Sequence, residues 1–345
     1  MRRAVAIGLL VLALLTGGGL VGAKLWLERY LDQPLAVEDA RVVEIAGGQS
    51  LSAVAAMLAR EAGLRHPRVL ARWGRWQGAD QRLQAGEYRL EPGMTPRVFL
   101  ERVVQGRVIL HQLTVVEGWR FQEMLGALRA HAAVQSTGLE TAALMAALGE
   151  PGQHPEGLFF PDTFRFARGT TELEILRRAR DLMARQLEEI WASRQPGLPF
   201  DTPYEALILA SIIERETGLD AERERVAGVF VRRLQRGMRL QTDPTVIYGL
   251  GDAFTDRLRR ADLQRDTPYN TYTRHGLPPT PIALPGRRSL EAAVNPAEGD
   301  ELFFVASGLG DGSHVFSVTL EEHNRAVALY LQRLRERRAA AEEAS

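Results

Sequence analysis

Glu214, Arg215 and Glu216 close an apolar run, Leu207-Ile208-Leu209-Ala210-Ser211-Ile212-Ile213, which reads as one helix. A carboxyl group on an apolar helix face is costly to ionise, so its proton becomes available for acid–base chemistry. Helix geometry separates the two glutamates. At about 100° per residue, Leu209, Ile212, Ile213 and Glu216 share one face. Glu214 lies about 160° from Glu216 on the wheel, on the side of Leu207, Ala210 and Ser211. Glu216 continues the apolar stripe and is the candidate acid/base. The plainer alternative is a helix end carrying a solvated Glu-Arg-Glu cluster.

Two polar runs downstream could surround such a group. One is Gln241-Thr242-Asp243-Pro244, and the other is Tyr269-Asn270-Thr271-Tyr272, followed by the proline-rich Gly276 to Ile282. Gln241, Asp243, Tyr269, Asn270, Thr271 and Tyr272 are the candidate substrate contacts. Amides, hydroxyls and tyrosines on rigid loops suit neutral hydroxyl and acetamido groups. They suit phosphate poorly, because no Gly-Lys-Ser/Thr loop and no arginine fork accompany them. Asp243-Pro244 predicts an extended or turn conformation, and Asp243 and Asn270 also fit plain turn roles.

Other chemistries fall away. The chain has no cysteine, which excludes disulfides, thiolate metal sites and a cysteine nucleophile. Its seven histidines include no pair at helical metal-ligand spacing and no H-E-x-x-H. Ser211 lacks a nucleophile-elbow setting. Gly308 to Gly312 reads as a hairpin loop between strands at Leu302–Ala306 and His314–Val318. Lys+Arg and Asp+Glu are both 43, so no basic balance points to nucleic acid.

The elements that must position these groups begin at the N-terminus. Ala4 to Ala23 contains no charge and follows Arg2-Arg3. It is long enough to span a membrane, and the flanking charges favour a cytoplasmic N-terminus. A cleaved signal peptide with a small-residue site near Val21-Gly22-Ala23 is the competing reading. Either way the working part is extracytoplasmic. Next come a strand at 41–45, a helix capped by Ser50 and ended by Gly63, a helix from Pro67 to Trp76 and a strand at 86–90. This β-α-α-β order looks like a LysM-type module, or else a spacer. Gly157 to Phe164 holds three of the twelve phenylalanines and reads as a core loop or as a sugar-groove wall. Thr171 to Gln195 predicts a long amphipathic helix. A helix over Ala221 to Gln235 is expected to turn Val226, Phe230, Val231 and Leu234 inward and many arginines outward.

The segments LASIIERET (209–217), LQTDPTVIYG (240–249), YNTY (269–272) and GLPPTPIALPG (276–286) together resemble the YceG-like family of endolytic murein transglycosylases. GLFFPDTF (157–164), Phe303-Phe304-Val305 and His314-Val315-Phe316 fit the same resemblance, which covers nearly the whole chain. It implies an α+β fold: a transmembrane helix at 4–27 after a cytoplasmic 1–3, and a LysM-like module at 40–110. A catalytic domain at 111–335 would follow, its core at 200–330 and its lysozyme-like helix bearing the glutamate, with a charged, disordered tail at 336–345. It also implies an inner-membrane enzyme facing the periplasm that acts on peptidoglycan strands. Such an enzyme cleaves the MurNAc-β-1,4-GlcNAc bond to a 1,6-anhydro end, with Glu216 as acid/base and no metal or cofactor, and peptidoglycan synthases are the expected partners. A muramidase would leave reducing ends and would use Asp243 or Glu214 as a second carboxylate. A non-catalytic peptidoglycan-binding scaffold is the alternative from another class.

Overall fold

A computed structural model describes residues 2–343. The chain divides into two compact units. One comprises Met1–His111 with Arg165–Gly169, the other Gln112–Phe164 with Thr170–Ser345.

The first unit opens with α1 (Arg2–Asp32), longer than the predicted span. Its Leu10–Asp32 portion is long and apolar enough to cross a membrane by length and composition. The final turn does something else: Tyr30 and Leu31 are buried in the core of this unit. β1 (Arg41–Ile45) then pairs antiparallel with β2 (Gly86–Leu90), with Val43 opposite Tyr88 and Ile45 opposite Gly86. Val43, Ile45, Tyr88 and Leu90 alternate inward, as a half-buried sheet requires. Between the strands lie α2 (Leu51–Ala62) and α3 (Pro67–Trp76). The Ser50 side chain accepts the Ala53 N–H, and Gly63 adopts the left-handed conformation that ends α2. α4 (Pro96–Val104) closes the core over Phe99 and Val103. The strand–helix–helix–strand order matches the predicted one.

β3 (Leu110–Thr114) pairs with β5 (Thr163–Ala167). The second unit continues through α5 (Phe121–Ala130), β4 (Val134–Gln135), α6 (Thr141–Ala147), β6 (Thr170–Thr171) and α7 (Glu172–Ala192). At its centre is α8 (Pro203–Glu216), whose residues from Ala206 to Ile213 are all buried. Thr202 and Glu205 form a capping box with Pro203 in the first turn, so the start of α8 is fixed by sequence. Ser211 tolerates this setting because its hydroxyl donates to the Ile208 carbonyl and accepts the Ile282 N–H. Around α8 pack α7, α9 (Asp220–Gln235), α10 (Asp243–Leu250) and α12 (Arg287–Val294), while α11 (Arg260–Gln264) lies between α10 and α12 in the chain. β7 (Phe303–Ala306) and β8 (His314–Ser317) form the predicted hairpin, with Ala306 opposite His314. α13 (Leu320–Glu343) follows.

Four expectations change. The apolar stripe through Leu209 and Ile213 is not a stripe, because α8 is buried on every side over two turns. Asp243-Pro244 does not form an extended turn but starts α10, where proline's missing N–H costs nothing. α9 turns fewer of its arginines outward than expected: Arg223 and Arg233 are buried, Arg223 donating to Glu214 and Arg233 to the Leu240 carbonyl. Finally, helix continues to Glu343 where a disordered tail is predicted from 336.

Candidate active site

Glu216 is the last residue of α8 and lines a cavity of about 400 Å³. Its carboxyl is only partly exposed. Burial pushes its pKa up to about 7, against a lowering hydrogen bond from Thr242, and the nearby Asp243 charge adds to the rise. The Thr242 hydroxyl donates to Glu216 Oε2 at 3.0 Å, which leaves Oε1 as the oxygen that can carry the exchangeable proton.

The backbone aims Thr242 at that carboxyl. Gln241, just before it, has φ of 52°, a left-handed conformation uncommon outside glycine. The Gln241 N–H donates to the Thr271 carbonyl, and the Thr242 N–H donates to the Thr271 hydroxyl. Thr245 completes the knot, bonding both the Thr242 carbonyl and Thr271. The strain at Gln241 is thereby held by buried hydrogen bonds on both sides.

Arg233 supplies positive charge to the same cavity. Its guanidinium donates to the carbonyls of Leu302, Leu240 and Arg239, and the ring of Phe303 lies against it. Burial lowers its pKa, while the Tyr272 hydroxyl and Glu216 favour its charge. It stands near Glu216 without forming an ion pair with it among the described residues. Across the cavity, Asp243 accepts a hydrogen bond of 2.6 Å from the Tyr272 hydroxyl. Burial and the Asp243 carboxylate together push the Tyr272 phenol up, so it keeps its proton, which it donates to Asp243, and its oxygen stays free to accept.

The predicted contacts therefore divide. Gln241, Asp243 and Tyr272 line the cavity with Glu216; Tyr269, Asn270 and Thr271 do not. Asn270 is fully buried. Its amide donates to the Leu263 and Arg265 carbonyls, and its Oδ1 accepts the Tyr272 N–H, so it organises the loop that presents Tyr272. Thr271 is committed to the Thr242 knot. Tyr269 bonds Thr280 and packs edge-on against Tyr248. The aromatic segment at 157–164 sends Phe159 into the core against Phe121 and supplies no wall of this cavity.

Sequence reasoning missed Thr242, Arg233 and two histidines. His314 lines the cavity, and its Nδ1 bonds Glu222 Oε2 at 2.7 Å while the other oxygen of Glu222 accepts the His314 N–H. His323, near the start of α13, stacks on Phe303, and burial lowers its pKa. Its Nδ1 has no hydrogen-bond partner among the described residues. The alternation of His314 with Phe316 along β8 was the one local hint. Among the described residues, no cluster suited to a metal ion occurs.

Desolvation alone does not single out Glu216. Glu156 is also pushed up to about 7 by burial. Its two oxygens, however, accept the Phe121 N–H and the Tyr248 hydroxyl, and it is 3% exposed. No substrate atom can reach it. Glu214 fails differently: it accepts the Gly286 N–H at 2.9 Å and pairs with buried Arg223 at 3.2 Å. Of the three carboxyl groups, only Glu216 lines the cavity.

The YceG-like family matches residues 43–329. The chain is 32% identical to the endolytic murein transglycosylase of Bacillus subtilis (strain 168), over 84% of each protein. It is 26% identical to that of Streptococcus pneumoniae (serotype 2, strain D39), over 93% of this chain and 64% of the relative. A crystal structure of a YceG-like protein from Listeria monocytogenes superposes with a TM-score of 0.54 at 28% identity, covering 84% of this chain and 99% of that one.

Proposed function

This chain belongs to the YceG-like family, and from that premise we propose that it is a murein transglycosylase with Glu216 as its single acid/base. The carboxyl that opens on the cavity with its pKa near 7 is the observation that carries the proposal. Near neutral pH a substantial fraction of Glu216 holds a proton, and Thr242 orients it. Glu216 donates this proton to the oxygen of the MurNAc-β-1,4-GlcNAc bond as an oxocarbenium-like state forms. The carboxylate left behind is favoured by Arg233 and by the Thr242 hydroxyl.

The same carboxylate then takes the proton of the muramic acid 6-hydroxyl as that oxygen attacks C1, giving a 1,6-anhydro end. One carboxyl serves both steps because the nucleophile belongs to the substrate. A hydrolase needs a second carboxyl to activate water or form a glycosyl-enzyme. Asp243, the other carboxylate lining the cavity, is engaged by Tyr272. Its negative charge suits it to stabilise the oxocarbenium. Gln241 and Tyr272 supply polar contacts to the sugar.

The proposed setting is a single-pass membrane protein with its catalytic unit in the periplasm. The apolar α1 is long enough to span a bilayer and runs on into the core of the first unit at Tyr30 and Leu31, and both observations support the anchor reading. Mass spectrometry of digested sacculi tests the chemistry: anhydro-muramyl ends are expected, and new reducing ends instead would assign a muramidase. Glu216→Gln abolishes cleavage while the far-ultraviolet circular dichroism stays unchanged. Residual cleavage near the wild-type level refutes the assignment.

A further inference from the structure

Helix α3 has two unlike faces. Leu70, Ala71 and Gly74 are buried against the core of the first unit. The opposite face carries Arg68, Arg72 and Arg75, then Trp76, all exposed; Trp76 is 81% exposed. Such a tryptophan gains nothing from the protein's own core.

What lies beside it is the end of α1. Ala23 and Trp26 of α1 and Trp73 and Trp76 of α3 line one apolar groove, with Arg68 and Arg72 at its edge. The basic side continues into a second hollow lined by Arg68, Arg72 and Arg75. The groove therefore begins where the apolar run of α1 stops. Trp26 stacks on Tyr30 at 5.7 Å, and the Tyr30 hydroxyl donates to the His66 carbonyl just before α3. Arg97 ties the two helices further, lying over the Trp73 ring while bonding Asp32 of α1. α3 is thus fixed at the level of the last apolar turns.

Tryptophan and arginine are the side chains suited to the boundary between hydrocarbon and headgroups. An indole places an apolar body inward and an N–H outward, and a guanidinium forks onto phosphate oxygens. Arg68 and Arg72 have no acidic partner among the described residues, so their charge is available to an anionic surface. We propose that the outer face of α3 lies in the headgroup layer of the bilayer that α1 crosses, with Trp73 and Trp76 at the apolar boundary and Arg68, Arg72 and Arg75 on the phosphates of anionic phospholipid. This rests on the anchoring of α1 proposed above. Its consequence is mechanical: a unit hung on one helix can tilt freely, whereas a second contact at α3 sets its orientation on the membrane.

The absence of cysteine makes site-specific labelling direct. Full-length Leu20→Cys and Gln77→Cys variants are labelled with a fluorophore and reconstituted into vesicles of phosphatidylethanolamine and phosphatidylglycerol. Quenching is then read with nitroxide lipids. Position 20 reports the span, and position 77 reports α3 with Trp76 intact. Quenching at both positions is expected, and adding Arg68→Glu and Arg72→Glu reduces that at 77 at least about twofold while leaving 20 unchanged. Quenching at 20 with a water-exposed label at 77 overturns the docking of α3 and leaves the anchor standing. No quenching at either position overturns the anchor, and the docking with it.

Discussion

Replacing Glu216 with glutamine separates the desolvation of this carboxyl from its chemistry, because the two respond differently to pH. In the unfolded chain the group has its ordinary value of 4.5, and in the fold it sits at about 7. Below 4.5 both states are protonated, and the carboxyl adds nothing to the pH dependence. As pH rises from 4.5 through 7, the unfolded state releases its proton first, so folded stability falls; above 7 the loss is complete. At about 1.36 kcal/mol per pKa unit, a full shift of this size corresponds to roughly 3 kcal/mol. Glu216 is partly exposed to the cavity, and solvent screening reduces the expected effect to about 1–2 kcal/mol. Glu216→Gln removes the charge and keeps an acceptor for Thr242. The variant is therefore more stable than wild type at pH 8 by about 1–2 kcal/mol and indistinguishable at pH 4. For a domain of this size that is about 2–4 °C in melting midpoint per kcal/mol. Thermal unfolding of both proteins at the two pH values measures it, alongside a loss of strand cleavage of at least about 10²–10⁴-fold. A variant less stable than wild type at pH 8, or equally shifted at both pH values, refutes the claim that the fold holds Glu216 against ionisation.

Thr242→Ala removes the hydrogen bond that favours the carboxylate, so Glu216 titrates higher. The alkaline limb of kcat/KM should move up in pH while the rate falls about tenfold or more; an unmoved limb counts against Thr242 as the orienting group. Glu214→Ala leaves Arg223 buried without its α8 partner and should cost about 3–5 kcal/mol, read by urea unfolding. A loss below 1 kcal/mol (roughly the worth of an exposed pair) denies it a structural role. Asn270→Ala orphans buried carbonyls and frees the Tyr272 loop, costing about 1–3 kcal/mol. A pure rise in KM with unchanged stability would make Asn270 a substrate contact after all.

The elements of the first unit were legible because their signals are local. Ser50, Gly63 and Pro67 mark helix ends through their own backbone chemistry, and the strand alternation needs only neighbouring residues. The site was half legible. Glu216, Gln241, Asp243 and Tyr272 line one cavity. Asn270 and Thr271 look the same in sequence, yet their polar atoms are consumed by carbonyls and hydroxyls brought in from other loops. Arg233 was hidden for the opposite reason. On a helix rich in arginine nothing local marks the one whose donors meet three carbonyls from elsewhere in the fold.

The wheel also chose Glu216 for an incomplete reason. It contrasted an apolar face with the face of Glu214, but α8 is buried all round from Ala206 to Ile213, and both glutamates are half-buried at its end. What separates them is long-range: Glu214 meets Arg223 and the Gly286 N–H, and Glu216 meets one threonine hydroxyl and an open cavity. By itself the sequence determined the helix, its caps and the presence of two carboxyl groups at its end, since these depend on backbone preferences over a few residues. Only the tertiary structure decided which carboxyl opens on a cavity and which is closed off by an arginine. A pKa is set by the charges, donors and solvent within a few ångströms, and those arrive from residues far away along the chain.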